Sequence, residues 1–121
     1  MAGALDGLVV LDLTTHLSGP FCGMQLGDLG ADVIKIESPQ GDSLRGAPPF
    51  VEGESAPFML WNRNKRGLRL DLKAAGDLEI FWTLVDGADV VLENFRPGVM
   101  ERLGLGWEAL HKRNPRLVLG S

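Results

Sequence analysis

The chain has 121 residues, of which 45% are hydrophobic and 23% charged, and its formal net charge is −4. This composition predicts one globular domain with a core of its own and argues against disorder as the main state. The acidic balance argues against general binding of nucleic acid, and no apolar stretch approaches the roughly 20 residues that cross a bilayer.

The single cysteine, Cys22, excludes an internal disulfide. Residues 1–7 contain no basic region followed by an apolar one, so we expect no secretory signal. A cytoplasmic protein without nucleic-acid or membrane partners is therefore predicted.

The first part of the chain alternates strand and helix. Residues 8–13 (LVVLDL) are apolar with a β-branched centre, as in a buried parallel strand. A helix over 20–29 follows, because proline suits the first turn of a helix and Gly30 its C-terminal end. Residues 32–37 (DVIKIE) predict a second strand and complete a βαβ unit.

The remainder continues this alternation after a long loop at 38–57 that is rich in glycine, proline and charge. We predict a helical turn at 58–62, a strand at 68–72, a helix at 74–85, a strand at 88–93, short helices at 97–103 and 107–113, and a fifth strand at 117–120. Strands alternating with helices predict a doubly wound α/β sheet. The last strand is followed only by Ser121, and ligands of such sheets gather beyond the carboxyl ends of strands, so we expect the architecture to be incomplete at its C-terminus.

We expect three loops at this rim, namely 14–20, the segment from Ser38 onward and 94–98. The first and last of them, together with a basic segment, have the composition of an anion or nucleotide site. Residues 14–20 (TTHLSGP) offer backbone amides at a helix N-terminus, although they are not the G-x-G-x-x-G pattern of nicotinamide binding. Residues 62–66 (NRNKR) combine two amides with three cations, and 93–98 (ENFRPG) place an aromatic ring beside a guanidinium. The alternative for the basic segment is a solvated turn before a strand.

Other reactive side chains receive ordinary interpretations. His16 has no second histidine or cysteine at ligand spacing, so no metal site is predicted. His111 is expected on an exposed helix face, and Cys22 is expected to be a small buried hydrophobe. None of the carboxylates Asp12, Asp28, Asp32 and Glu93 is predicted to be a nucleophile.

Taken together, the ordered motifs resemble a known family. They are LDGLVVLDLTTHLSGPFCGMQLGDLGADVIKIESPQGDSLR, then WNRNKRGLRLDLK, then ADVVLENFRPGVMERLGLGWEAL, and finally NPRLVLGS. In these segments the chain resembles the class III coenzyme A transferases, also called the CaiB/BaiF family, which includes α-methylacyl-CoA racemases. Four motifs in order are far more specific than any one of them.

The resemblance implies the N-terminal part of a Rossmann-like large domain that binds coenzyme A or acyl-CoA. Full-length relatives are interlinked homodimers, and their small domain and catalytic segment have no counterpart in these residues. The family places the acid or nucleophile of its reaction beyond the position of Ser121. No catalytic residue is therefore predicted within this chain, and whether it is itself an enzyme is left open.

The resemblance also implies the residues that face coenzyme A. By motif they are His16, Leu17, Ser18, Lys65, Arg66, Leu72, Asn94, Phe95, Arg96 and Arg102. Leu72 and Phe95 are expected to flank the adenine, and the four cations are expected to offset phosphate charge. Relatives often have a basic residue just after the second strand, where this chain has Glu37, Ser38 and Pro39.

For the activity, the resemblance implies transfer of coenzyme A between an acyl-CoA thioester and a free carboxylic acid. Two alternatives stay open. One is a racemase-like enzyme of the same family, and the other is a catalytically inactive binding or assembly fragment, whose uncovered sheet edge and helix faces favour self-association.

Overall fold

The computed structural model describes residues 2–121, and five of its strands form one sheet. In chain order the elements are β1 (Val9–Asp12), α1 (Ser18–Asp28), β2 (Asp32–Glu37), a 3-10 turn (Ser43–Gly46), β3 (Phe50–Val51), β4 (Glu54–Ser55), α2 (Ala56–Trp61), β5 (Lys65–Arg69), α3 (Ala75–Asp86), β6 (Val90–Leu92), α4 (Val99–Arg102), α5 (Trp107–Arg113) and β7 (Val118–Gly120).

The five-stranded sheet has the order β5-β2-β1-β6-β7, and all of its strands are parallel. Short β3 and β4 pair separately as an antiparallel hairpin. Because β1 lies at the centre, the chain builds β2 and β5 on one side of it and later β6 and β7 on the other. This confirms the predicted α/β, Rossmann-like doubly wound parallel sheet.

Both faces of the sheet are covered by helices, since successive side chains of a strand point to opposite faces. Leu11 belongs to the larger core cluster, which includes Phe81 and Val85 of α3 and Leu110 of α5. Val10, its neighbour on β1, belongs to a smaller cluster that includes Leu26 of α1. The helices α1 and α3 therefore lie on opposite faces, as a doubly wound sheet requires.

The predicted boundaries are correct for β2 and α5 and wrong for the strand predicted at 68–72. That strand is β5, Lys65–Arg69, which pairs with β2 from Val33 opposite Lys65 to Glu37 opposite Arg69. The alternating leucines of 68–72 suggested a later start, but hydrogen bonding along β2 fixes the register. The predicted loop 38–57 also contains regular structure, namely the 3-10 turn and the β3/β4 hairpin.

Cys22 is a further correction, because its side chain is exposed rather than buried. The face of α1 that packs on the sheet carries Pro20, Gly23 and Met24. Cys22 lies on the outward side of the same helix. His111 is exposed as predicted, and its ring stacks on Trp107 at a centroid distance of 4.9 Å.

Candidate functional site

The carboxyl ends of β1, β2 and β6 lie at one edge of the sheet because the strands are parallel, with Asp12 opposite Leu92. The segments leaving this edge are residues 13–17, 38–42 and 93–98. The strand order changes direction between β1 and β6. Open α/β sheets bind ligands at such a switch point, so this edge is the first place to look for a site.

The rim loop, residues 14–16, has no regular secondary structure, yet side chains bind its backbone. The Thr14 N–H donates to Asp12 Oδ1 at 2.9 Å. The Thr15 N–H donates to Asn94 Oδ1 at 2.9 Å, and Asn94 Nδ2 donates back to the Thr15 carbonyl at 2.8 Å. Asn94 thus ties the segment after β6 to the segment after β1.

Two side chains from β2 and its following segment hold the other side of the rim loop. Asp42 Oδ1 accepts from the His16 N–H at 3.1 Å, and Lys35 Nζ donates to the Thr14 carbonyl at 2.9 Å. His16 has a φ of 70°, in the left-handed region that few residues other than glycine adopt. Such a conformation persists where the surroundings impose it, so the rim loop is held in shape by the protein itself.

Six charged side chains form a connected group beneath the rim loop, here called the ion network: Asp12, Lys35, Glu37, Asp42, Arg45 and Lys65. Lys35 Nζ lies 2.9 Å from Asp42 Oδ2, Lys65 Nζ lies 2.7 Å from Asp12 Oδ2, and Arg45 Nη2 lies 2.7 Å from Glu37 Oε1. The two lysine side chains are 3% and 1% exposed. The two lysines and the three carboxylates can be buried because each is paired, whereas the Arg45 side chain is 39% exposed.

The environment of the ion network shifts three of its pKa values, and the hydrogen bonds with Glu37 raise that of Arg45. Hydrogen bonds from the Arg45 guanidinium, assisted by the Asp42 N–H, lower the pKa of Glu37 to about 2. Burial lowers the pKa of Lys65, and its pairing with Asp12 opposes that shift only in part. Glu37 is therefore ionised across the physiological pH range.

Two glycines of α1 allow the helix to approach the end of β1 closely. A Cβ on Gly19 would lie 2.3 Å from the Thr14 Cβ, and one on Gly23 would lie 2.5 Å from Asp12 Oδ2. Neither position has room for a side chain. The rim loop and the ion network therefore both depend on small residues in the following helix.

A cavity of about 370 Å³, here called the first cavity, opens at the same edge. Its apolar walls are Leu13, Ile36, Leu70, Leu72, Phe95, Val99 and Leu103. Its polar lining comes from Thr15, residues 37–42, Asp71 and Lys73. Apolar walls with a few polar groups at one end are typical of a small-molecule site.

A second cavity of about 290 Å³ lies beside it, between the segment after β6 and α5. Glu93, Arg96, Glu101 and Trp107 contribute to its lining. Phe95 lines both cavities and so forms the wall between them.

Comparison with known proteins decides the family. The model of CoA-transferase family III matches residues 5–121. The chain belongs to this family. It is similar over 98% of its length to succinyl-CoA:mesaconate CoA-transferase of Haloarcula hispanica, at 51% identity, and to acetyl-CoA:oxalate CoA-transferase of Acetobacter aceti, at 52% identity. The predicted resemblance is thereby confirmed.

Solved structures give the same result for the fold. A CaiB/BaiF family protein from Brucella suis superposes on 98% of this chain with a TM-score of 0.92 and 44% identity. The chain spans 31% of each of the two transferases and 33% of the Brucella suis chain. It corresponds to the N-terminal part of these longer family III proteins.

The structure brings together most of the residues predicted to face coenzyme A. Leu72 and Phe95 both line the first cavity, as expected for residues that flank one ligand group. His16, Leu17, Ser18 and Asn94 do not line this cavity, although they are close in sequence to its lining residues Thr15 and Phe95, and all four are exposed. Arg96 lines the second cavity, and the exposed Arg102 lies on α4. Their contacts with a ligand remain predictions.

The cationic groups of Lys65 and Arg66 bind groups of the protein outside the first cavity. Lys65 Nζ donates to Asp12 Oδ2, the Pro20 carbonyl and Asn62 Oδ1. The exposed guanidinium of Arg66 pairs with Asp32 at the opposite, amino end of β2. Neither residue lines the first cavity. Their assignment as phosphate ligands stays a prediction that this arrangement does not favour.

Sequence reasoning missed Lys35 and Asp42, which hold the rim loop, and Lys73, which lines the first cavity. The segment from Ser38 onward was expected at this rim, and residues 38–41 line the first cavity. One signal was present, because Lys35 interrupts the apolar strand DVIKIE. A charged residue there requires a buried partner of opposite charge. Nothing in the sequence marks Asp42 as that partner.

The carboxylates of this edge are engaged in internal contacts. Glu93 accepts hydrogen bonds from the Phe95 N–H and the Ser121 hydroxyl, and Asp12 accepts from Thr14 and Lys65. Within residues 2–121 no group of three or more His, Cys, Asp or Glu side chains is arranged to hold a metal ion. The same part of the chain contains no helix with the length and apolar character to cross a membrane.

Proposed function

We propose that this chain supplies the coenzyme A-binding rim of an enzyme that transfers coenzyme A between an acyl-CoA thioester and a free carboxylic acid. Residues 1–121 would form the N-terminal part of its coenzyme A-binding domain. The observation that carries this proposal is the first cavity, which lies at the switch point of a family III sheet with Leu72 and Phe95 on its walls.

The first cavity suits a nucleobase. Leu72 and Phe95 offer apolar and aromatic surface for a flat ring, and stacking on an aromatic side chain stabilises a bound base by about 1–3 kcal/mol. Ser38, Gln40 and Lys73 line the same cavity, and the carboxylates of Glu37 and Asp42 are paired with Arg45 and Lys35. This combination fits an adenine with phosphates attached.

Cations remain available for the phosphates. Within residues 2–121 the ion pairs do not involve Arg96, Arg102 or Lys73. Guanidinium groups bind phosphate through paired, charge-assisted hydrogen bonds. We propose Arg96 and Arg102 as the main phosphate ligands of this chain, with Lys73 added to the predicted set.

The proposed role of these residues is binding rather than bond making. Transfer through an acyl-enzyme requires a carboxylate free to attack a thioester. Asp12, Glu37, Asp42 and Glu93 instead hold backbone or cationic groups of the protein. We therefore propose that the nucleophile of the full-length enzyme lies outside residues 1–121.

The test is a calorimetric titration of the 121-residue chain with coenzyme A and with dephospho-CoA. Binding of coenzyme A, weakened when the 3′-phosphate is removed, is the expected result. Absence of heat from a chain shown to be folded by circular dichroism would contradict a binding site built from these residues alone.

The alternatives need an activity assay on the full-length protein. Transfer of coenzyme A from succinyl-CoA to a free acid would establish the transferase. Loss of the α-deuteron from a 2-methylacyl-CoA to solvent, with no transfer of coenzyme A to another acid, would establish a racemase. The non-catalytic alternative concerns the 121-residue chain itself. It would be supported if this chain binds coenzyme A but catalyses neither reaction. The similarity to named CoA-transferases supports the first outcome.

We also propose that the full-length protein is an interlinked homodimer in the cytoplasm, as the resemblance implies. Exposed apolar side chains on α1 and α2 support this proposal, because another part of the full-length dimer could bury them. Phe21 is 43% exposed and packs edge-on against Trp61, and Leu60 is 47% exposed. Sedimentation of the full-length protein at several concentrations tests the assembly.

A further inference from the structure

We propose that Lys35 and Asp42 are positioning residues, which fix the rim loop in its binding conformation before coenzyme A arrives. The inference rests on the proposed function, because the rim loop is assigned to the coenzyme A site. Neither side chain is expected to touch the ligand. Both act through backbone groups of Thr14 and His16.

The geometry places these two side chains as a clamp. Lys35 Nζ lies 2.9 Å from the Thr14 carbonyl and 2.9 Å from Asp42 Oδ2. The other oxygen of Asp42 accepts from the N–H groups of His16 at 3.1 Å and Leu44 at 2.9 Å. The pair therefore contacts the rim loop on both sides of Thr15.

The clamp is buried, which makes it rigid. The side chain of Lys35 is 3% exposed and that of Asp42 is 0% exposed. Water therefore has little access to the Lys35 ammonium and the Asp42 carboxylate, and a charged group in such a place strengthens its hydrogen bonds. Two of the clamp's hydrogen bonds bind backbone of the rim loop, and a third caps the 3-10 turn.

The rim loop has a specific need for such a clamp. His16 is left-handed at a φ of 70°, and a histidine does not hold that conformation without support. The backbone polar groups of Thr14 and Thr15 and the N–H of His16 all bind side chains rather than a strand or a helix. Preorganisation of this kind lowers the entropy that ligand binding has to offset.

The test is Asp42→Asn in the 121-residue chain. Asparagine has a single side-chain oxygen, whereas the carboxylate uses one oxygen for Lys35 and the other for His16 and Leu44. At least one side of the clamp is therefore lost. Asp86→Asn is the matched control, because Asp86 forms an exposed ion pair with Arg113.

Two measurements are made on each variant, namely amide hydrogen exchange by NMR and titration with coenzyme A. In Asp42→Asn we expect exchange at His16 to accelerate by at least about tenfold, as the loss of a charge-assisted hydrogen bond implies. Exchange at Leu11 in the core reports any loss of global stability, and the acceleration at His16 should exceed the acceleration at Leu11. Coenzyme A should bind about tenfold more weakly, and Asp86→Asn should match the parent chain in both measurements.

Unchanged exchange at His16 would overturn the proposal, as would faster exchange with undiminished affinity. If the parent chain binds no coenzyme A, the proposed function fails, and exchange at His16 alone decides whether the pair fixes the loop. If Asp42→Asn does not fold, the double variant Lys35→Met/Asp42→Asn removes both buried charges together. The same two measurements then decide.

Discussion

Replacing Gly23 with alanine tests how closely α1 must approach the end of β1. The new Cβ would lie 2.5 Å from Asp12 Oδ2 and 3.1 Å from Lys65 Nζ, and both atoms belong to a buried ion pair. Overpacking costs about 1–3 kcal/mol and breaking a buried pair about 3–5 kcal/mol, against about 1 kcal/mol gained in helix propensity. Since the pair would be displaced rather than removed, we expect the free energy of unfolding to fall by about 2–4 kcal/mol.

Gly76→Ala is the matched control, because Gly76 lies in α3 and a Cβ there meets no atom within 4 Å. Its stability should be unchanged or rise by up to about 1 kcal/mol. Urea unfolding followed by tryptophan fluorescence measures the free energy of unfolding of both variants. In thermal unfolding, the Tm of Gly23→Ala should drop by at least about 6 °C. If the two variants are equally stable, the close approach of α1 does not constrain Gly23 and the reasoning is refuted.

Three further predictions follow from the site. Phe95→Ala removes one wall of the first cavity and should weaken coenzyme A binding at least about fivefold by calorimetry, whereas Ile80→Ala, exposed on α3, should not. Asn94→Ala removes the hydrogen bonds to both backbone groups of Thr15 and should accelerate amide exchange at Thr15 by about tenfold. Unchanged exchange at Thr15 would show that Asn94 does not hold the rim loop. The pKa of Glu37 is lowered from 4.5 to about 2. The pairing with Arg45 therefore stabilises the fold fully above pH 4.5, and this contribution is lost as pH falls toward 2. In urea unfolding, the free energy of unfolding should fall by about 1–2 kcal/mol less between pH 6 and pH 3 in Glu37→Gln than in the parent chain, a value reduced for solvent exposure of the guanidinium. The same pH dependence in both proteins would contradict this prediction.

The order of strands and helices was readable from the sequence because each element has its own local signal. The β-branched runs at 8–13 and 32–37 need no partner to be recognised, and Pro20 and Gly30 bracket α1. Boundaries set by pairing were not readable. The start of β5 at Lys65 depends on which residue of β2 lies opposite, and no local pattern carries that information.

The family motifs pointed to two residues of the first cavity, whose contacts with a ligand stay predictions. Leu72 and Phe95 were assigned by motif, and both line the first cavity. The fate of Lys65 was not readable, because its partner Asp12 lies 53 positions earlier in the chain. A lysine in a basic segment suggests a phosphate ligand, and only the fold shows that its ammonium is 1% exposed and paired.

Ion pairing distinguishes the cations that stabilise the fold from those that are available to bind phosphate. Six of the twelve Lys and Arg residues form ion pairs. Among these, Lys35, Arg45 and Lys65 belong to the ion network that supports the rim loop. Phosphate ligands must come from cations whose charge is not already matched, because a ligand would otherwise have to break an existing pair. At the carboxyl edge those include Lys73 at the first cavity, Arg96 at the second, and the exposed Arg102 of α4. The buried Lys35 and Lys65 thus support the site, and the cations without a carboxylate partner are the candidates for binding phosphate.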